Sequence, residues 1–290
     1  MIKLALIGKG KWGQNYIKTI RGIRDVSLLK SNILGKDYLN FLSKLDADGV
    51  IIATPVSAHF QVAKDVVKSG FKKLLIEKPL TRTFSEALLL RKLAKKHSVL
   101  IMVGHIQLYD EAIIKMEEKL SLVGTIREMS YEGLKSPIRT DGTTVIQDWG
   151  PHPSYLFLHF ASRFPKNLTG ERGREDNILL RYNFGNVVAT AKIGWTYPKR
   201  RRFFKISGDK GKLIFDGSLD VKKLTFIDNN GNKKFVKFPH SISPLKTEIL
   251  EFVNMIKKRS VPKTTLSQGL EVMKIIDFAE KSLVEQPKQL

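Results

Sequence analysis

The residues best suited to chemistry fall in short clusters within the first eighty positions. Gly8-Lys9-Gly10-Lys11-Trp12-Gly13 has G-x-G-x-x-G spacing, after an apolar run from Lys3 to Ile7 and ahead of a helical pattern on Tyr16, Ile20 and Ile23. At such a turn Gly8 permits the tight bend, Gly10 lets backbone approach a pyrophosphate, and Gly13 lets the helix pack on its strand. The first N–H groups of the helix then face the phosphates. The spacing alone also fits an ordinary strand-to-helix turn, and its position after the first strand is what favours a dinucleotide. A ribose carboxylate belongs about 20 residues past the glycines. Lys30-Ser31-Asn32-Ile33 stands there with no acid, so Lys30 and Ser31 suit the 2′-phosphate of NADP, although Lys30 is equally one of 50 basic residues.

Two further clusters close apolar runs. Ala53-Thr54-Pro55 follows Gly49 to Ile52, with His59 one turn on, and Glu77-Lys78-Pro79-Leu80 follows Lys73 to Ile76. At the carboxyl ends of parallel strands such residues line the ligand cleft, and Pro79 stops further pairing because its nitrogen carries no hydrogen. The expected cofactor set is Gly8, Gly10, Lys11, Trp12, Gly13, Lys30, Ser31, Thr54, Pro55, His59, Glu77 and Lys78, for NAD or NADP. No metal site is expected.

The elements that must hold these residues alternate in period. Short aliphatic runs at Lys3–Ile7, Val26–Leu29, Gly49–Ala53, Lys73–Ile76 and Val99–Val103 read as buried parallel strands. Between them lie helices such as Ser57–Ser69, closed by Gly70, and Phe84–His97, opened by the capping box Thr83-Phe84-Ser85-Glu86. Strands alternating with helices imply a doubly wound α/β sheet. After about Gly104 the pattern changes. Helical stretches at Leu108–Leu120 and Pro153–Phe164 precede strand-like runs at Ile178–Phe184, Val187–Trp195, Phe203–Ser207, Lys212–Phe215, Leu224–Ile227 and Lys234–Phe238, and helices at Leu245–Lys258 and Leu266–Leu283 follow. The reading is an N-terminal Rossmann domain over residues 1–103 and an α+β domain with a largely antiparallel sheet over 104–290, the latter binding substrate and mediating homo-oligomerisation.

Composition bounds the rest. The 290 residues carry 50 Lys and Arg against 28 Asp and Glu, a formal charge of +22. Such an excess favours anionic partners. The absence of cysteine excludes disulfides and thiolate chemistry and suits a reducing cytoplasm. The longest stretch free of Asp, Glu, Lys and Arg, Gly49 to Ala63, is 15 residues and contains Pro55, short of a membrane span. The run Lys199-Arg200-Arg201-Arg202 lies between Trp195, Tyr197 and Phe203, Phe204. It allows three readings: a single-stranded nucleic acid surface, cations on the solvent side of a strand, or contacts to a substrate diphosphate. The second is the more ordinary, and no nucleic acid partner is expected.

The order of Gly8-x-Gly10-x-x-Gly13, Ala53-Thr54-Pro55 with His59, Glu77-Lys78-Pro79, Gly104-His105 and Asp148-Trp149-Gly150-Pro151-His152 resembles the Gfo/Idh/MocA oxidoreductase family, and Arg202 to Asp216 extends the likeness through nearly the whole chain. The resemblance implies a nicotinamide enzyme acting on a hydroxyl or keto carbon of a sugar, polyol or nucleotide-linked sugar, with Lys78, Asp148 and His152 as the catalytic group. A neutral imidazole can take a hydroxyl proton, and an ammonium can stabilise the developing alkoxide. Asp148 would orient His152 if the segment is helical, or else cap the helix that begins at Pro151. Two features depart from the family. The gap from Leu29 to Val50 is too short for the usual second half of the cofactor domain, and Pro153-Ser154-Tyr155 stands where the family often has an acid after the histidine. The alternative is a non-catalytic regulatory or scaffold protein of the same fold with a basic partner-binding surface.

Overall fold

The structure is a computed structural model and describes residues 1–31, 38–239, 242–258 and 261–284. By contacts, Met1–Ile106 and Ser243–Met273 form one unit, and Gln107–Ile242 with the residues from Lys274 onward form another.

In the first unit β1 (Ile2–Ile7), α1 (Lys11–Arg21), β2 (Val26–Ser31), α2 (Tyr38–Ser43), β3 (Gly49–Ile52), α3 (Val56–Lys68), β4 (Lys73–Glu77), α4 (Phe84–Lys96) and β5 (Leu100–Gly104) alternate along the chain. The strands form a five-stranded parallel sheet of order β2-β1-β3-β4-β5. Ala5, Ile7, Val50, Ile52, Leu74, Ile76, Ile101 and Val103 share one core with Val62, Val66, Leu90 and Ala94 of the helices. Buried on both faces, the strands need continuous aliphatic runs, and this is why they were readable in the sequence. Among the described residues between β2 and β3, the short α2 is the one element. Thr83 caps α4 through the expected box with Glu86.

The second unit carries α5 (Glu111–Glu118), β6 (Ile126–Leu134), α6 (Val145–Trp149), α7 (Pro151–Ala161), β7 (Asn167–Arg172), β8 (Ile178–Asn183), β9 (Val188–Gly194), β10 (Arg201–Gly208), β11 (Gly211–Asp216), β12 (Leu224–Asp228) and β13 (Lys233–Phe235). Its sheet has eight strands in the order β13-β12-β11-β10-β6-β9-β8-β7, antiparallel except where β6 runs parallel to β9. Two strands lie outside the sequence expectation. β6 contains Arg127, Glu128 and Glu132 and lacks an aliphatic run. It is stabilised across strands instead, by Glu132 with Arg201 at 2.8 Å and Glu128 with Lys205 at 3.1 Å, while Met129 and Tyr131 are buried on its other face. In β7 only Gly170 is buried, so no apolar alternation marks it.

The contact grouping also differs from a simple division after residue 103. Helix α8 (Pro244–Lys258) belongs with the first unit, because a Cβ on Gly49 would stand 2.7 Å from Ile256 and 2.9 Å from Phe252; the bare glycine lets α8 lie against the start of β3. Thr265 then bridges to Met102 of β5. Helix α9 (Leu266–Val284) contributes residues to both groups. No helix among the described residues is long and apolar enough to cross a membrane.

Candidate active site

The glycine turn follows β1 and faces the end of β3, where the strand order reverses direction and α/β proteins bind ligands. Gly8 has φ +114°, and a Cβ there would lie 2.3 Å from the Ala53 carbonyl oxygen; one on Gly13 would lie 2.1 Å from the Gly8 oxygen. Both positions therefore require glycine. Gly10 differs, since a Cβ there meets nothing within 4 Å. Its lack of side chain serves the open space above the turn. Gly10 caps α1 with no side-chain hydrogen bond, and the first turn holds no acid, so its amides are left for an anion. Beside it, the hydroxyl of Thr54 is buried with no hydrogen-bond partner among the described residues. A turn with an open face and an orphaned buried hydroxyl fits a dinucleotide. Pro55 is the N-terminal cap residue of α3. The strand positions of Lys30 and Ser31 opposite Ala5 and Leu6 are described, but their side chains lie outside the described residues.

Trp12 and Glu77 are joined by a short hydrogen bond from the indole Nε1 to Oε1. Oε1 also accepts from Tyr16 at 2.7 Å, and Oε2 accepts from the Lys78 amide at 3.0 Å. Glu77 thus organises the glycine loop and the β4 end together. The Tyr16 oxygen is in turn 3.2 Å from Oε2 of Glu248, a side chain with no exposed surface. Tyr16 has one hydroxyl hydrogen. With that hydrogen on Glu77, the contact to Glu248 requires a proton on Glu248, which donates to the phenol oxygen. Burial and the nearby Glu77 charge push the Glu248 carboxyl well above its ordinary range. Burial also raises Glu77, but its donors and the Lys78 charge oppose this, so Glu77 is the member that keeps the negative charge.

Lys78 is half-buried after β4, and its peptide bond to Pro79 is cis. Two buried imidazoles lie near enough to feel its charge. His59 sits with Nδ1 2.8 Å from the Pro79 oxygen and Nε2 2.9 Å from the Thr54 oxygen. A neutral ring has one N–H and donates to one of these two carbonyls, so His59 packs between the strand-end loops and hydrogen-bonds one of them. Burial, then the Lys78 ammonium, lowers His105 to about 3, and burial likewise lowers His59. Both rings are neutral near pH 7, and the Glu77 carboxylate also feels the Lys78 charge.

In the second unit Thr144 caps α6 with Gln147 in a capping box, and Gly150 caps α7 with Pro151 in its first turn. Asp148 is accordingly interior to α6 and is not the cap of α7. Its Oδ1 accepts from Arg139 at 3.1 Å and its Oδ2 from the Trp195 indole at 3.0 Å. His152, in the first turn of α7, is buried with Nδ1 3.0 Å from the Tyr155 hydroxyl. Its ring meets Trp149 edge-on at 5.6 Å. Tyr155 also accepts from the Gln107 amide at 3.3 Å, and the Gln107 side chain donates to the Tyr131 hydroxyl at 3.1 Å. Tyr16, Glu248, Tyr155 and Gln107 did not emerge from the sequence as site residues. The i,i+3 spacing of His152 and Tyr155 was the available signal for one of them; nothing local distinguishes Glu248 from any other helical glutamate.

Of the basic run, Lys199 and Arg200 are exposed, Arg201 pairs with Glu132, and the Arg202 guanidinium lies 4.4 Å from the Trp149 ring. The expected alternation of solvent-facing cations therefore describes only part of it.

Residues 31–105 match a family described as oxidoreductases with an NAD-binding Rossmann fold. Scyllo-inositol 2-dehydrogenase (NADP(+)) of Bacillus subtilis is 23% identical over 279 residues, 82% of this chain and 77% of that protein. A solved structure from Magnetospirillum magnetotacticum MS-1 superposes with a TM-score of 0.87 at 26% identity, covering 96% of this chain and 99% of the other. The UDP-N-acetylglucosamine 3-dehydrogenase of Acidithiobacillus ferrooxidans shares the fold at a TM-score of 0.83 and 20% identity, over 97% of each chain. The glycine turn, the Glu77-Lys78-Pro79 strand end and these likenesses converge on a Rossmann fold that binds NAD or NADP, similar to the Gfo/Idh/MocA oxidoreductases.

Proposed function

We propose that the protein is a dehydrogenase or reductase acting at a hydroxyl or keto carbon of a sugar, polyol or nucleotide-linked sugar. The observation that carries this is the placing of the Lys78 cation at the end of β4, beside two neutral imidazoles and joined through Glu77 to the glycine loop. A binding protein has no need of an ammonium held there. Gly8, Gly10, Gly13 and the Thr54 hydroxyl would hold the dinucleotide, which when bound accepts or supplies the hydride. Lys78 stabilises negative charge on the substrate oxygen. His152 takes or returns the hydroxyl proton through Nε2, its Nδ1 being held by Tyr155. The relatives that act on an inositol and on a nucleotide sugar support a polyhydroxylated substrate. Fluorescence titration with NADH and NADPH, then turnover on scyllo-inositol, free hexoses and UDP-N-acetylglucosamine, tests the reading. NADPH should bind at least as tightly as NADH, given Lys30 and Ser31. Binding of neither cofactor would overturn the proposal.

A further inference from the structure

Arg202 stands apart from the other arginines near it. Arg201 pairs with Glu132, Arg139 with Asp148 and Arg181 with Glu171. Arg202 is half-buried, and among the described residues no carboxylate pairs with it. Its guanidinium instead covers the face of Trp149 at 4.4 Å and donates to the hydroxyl of Tyr131. Stacking occupies the π face of a guanidinium and leaves its N–H groups free in the plane, where they present a fork matched to a carboxylate or phosphate. Tyr131 takes one direction of that fork. The remaining donors belong to a partly desolvated cation without a counter-charge, an arrangement that favours capture of an anion.

The position relates this cation to the proton-transfer residue. Trp149, stacked under Arg202, meets the His152 ring at 5.6 Å, so the two groups are no farther apart than those two contacts in series. A second connection runs from Arg202 through Tyr131, Gln107 and Tyr155 to Nδ1 of His152, with separations of 3.1, 3.3 and 3.0 Å from Tyr131 onward. Both connections lie wholly within the second unit. A sugar with its reacting hydroxyl at His152 spans this separation when it carries one appended group.

We infer that Arg202 is a specificity-determining residue that binds an anionic group, carboxylate or phosphate, on the substrate, and so restricts the enzyme to acidic or phosphorylated sugars. This rests on the proposed role of His152 only for its placement; anion capture by Arg202 is measurable without turnover.

The test uses the protein loaded with NADP⁺, so that the glycine loop is occupied, and calorimetric titration with malonate and with inorganic pyrophosphate. Saturable binding of at least one is expected; malonate alone assigns a carboxylate substrate, pyrophosphate alone a phosphorylated one. Arg202→Met should weaken that binding about 10- to 100-fold, the range for loss of a charge-assisted pair, while Arg200→Met leaves it unchanged. If Arg202→Met does not fold, Arg202→Lys keeps the charge and should still lose about tenfold, because a lysine lacks the fork. In turnover, glucose 6-phosphate or glucuronate should exceed glucose in kcat/KM through a lower KM. Absence of saturable binding by either anion, or an unaltered affinity in a folded Arg202 variant, would overturn the inference. Anion binding with no hydride transfer on any sugar would count against the dehydrogenase reading and leave this assignment standing.

Discussion

The Tyr16 hydroxyl donates to Oε1 of Glu77 across 2.7 Å, deep in the first unit, and ties helix α1 to the end of β4. The same oxygen of Glu77 holds the Trp12 indole, so one carboxylate aligns the glycine turn with the segment that presents Lys78. Tyr16→Phe removes the bridge and leaves the Glu248 proton without its acceptor. Urea unfolding should show a loss of about 1–3 kcal/mol, the usual cost of stranding a buried polar group. Weaker NADPH binding should accompany it, because Trp12 belongs to the loop. Unchanged stability together with unchanged cofactor affinity would show that the bridge positions nothing.

Glu248 gives a sign to the alkaline side of the stability profile. Its carboxyl is raised in the folded state, so the folded protein holds a proton that the unfolded chain releases above the ordinary carboxylate value of 4.5. Stability from this group is complete below that value and declines as pH rises toward the folded pKa, by up to about 1.4 kcal/mol per pH unit. Glu248→Gln keeps a donor toward Tyr16 and cannot ionise. Relative to the parent, it should gain stability between pH 5 and pH 8. Parallel urea midpoints for the two proteins over that range would contradict the assignment of the proton.

His105 acts on the acid side. Its folded pKa is about 3, against 6.5 unperturbed. The unfolded chain binds a proton that the folded state refuses, so stability is complete above about pH 6.5 and falls as pH drops toward 3, at up to about 1.4 kcal/mol per unit. His105→Gln should flatten the profile between pH 6.5 and 4.5, where most carboxylates have yet to titrate. Equal slopes in variant and parent would exclude His105 as the source.

Lys78→Ala and His152→Ala should each abolish hydride transfer without unfolding the protein. Loss of an acid–base or charge-stabilising group lowers a rate by about 10²- to 10⁴-fold. Lys78 is only half-buried, so its truncation should leave the melting temperature near the parental value and NADPH binding measurable. His152 is buried, and His152→Gln serves as the milder companion. Turnover within about threefold of the parent in both positions would return these residues to structural roles.

Local sequence carries much of the first unit, because a parallel sheet covered on both faces demands aliphatic runs, and the glycines at 8 and 13 are required by contacts with residues close by in the same βα unit or its neighbouring strand. The capping box at Thr83 is equally local, and so are the turns that divide β8 to β12. The polar strands β6 and β7 were illegible for the opposite reason. Their place in the sheet depends on partners far along the chain, such as Arg201 for Glu132, and strand preference follows such neighbours more than composition.

What the sequence determined by itself was therefore the set of groups and their order: a glycine turn after the first strand, Lys78 after the fourth, and a histidine at the head of a helix. Tertiary structure decided their electrical and hydrogen-bonding state. Glu77 keeps its charge and Glu248 its proton because Tyr16 has a single hydrogen to share between them and both carboxyls are removed from water. His59 lies between two loops with a backbone carbonyl at each ring nitrogen, and its single N–H donates to one of them. Arg202 differs from Arg201 because adjacent residues of a strand face opposite sides of the sheet, one toward a glutamate and the other toward Trp149. Such states depend on desolvation and on partners brought together over 61 and 232 positions of chain, as with Tyr16 to Glu77 and Tyr16 to Glu248, and no local pattern encodes them.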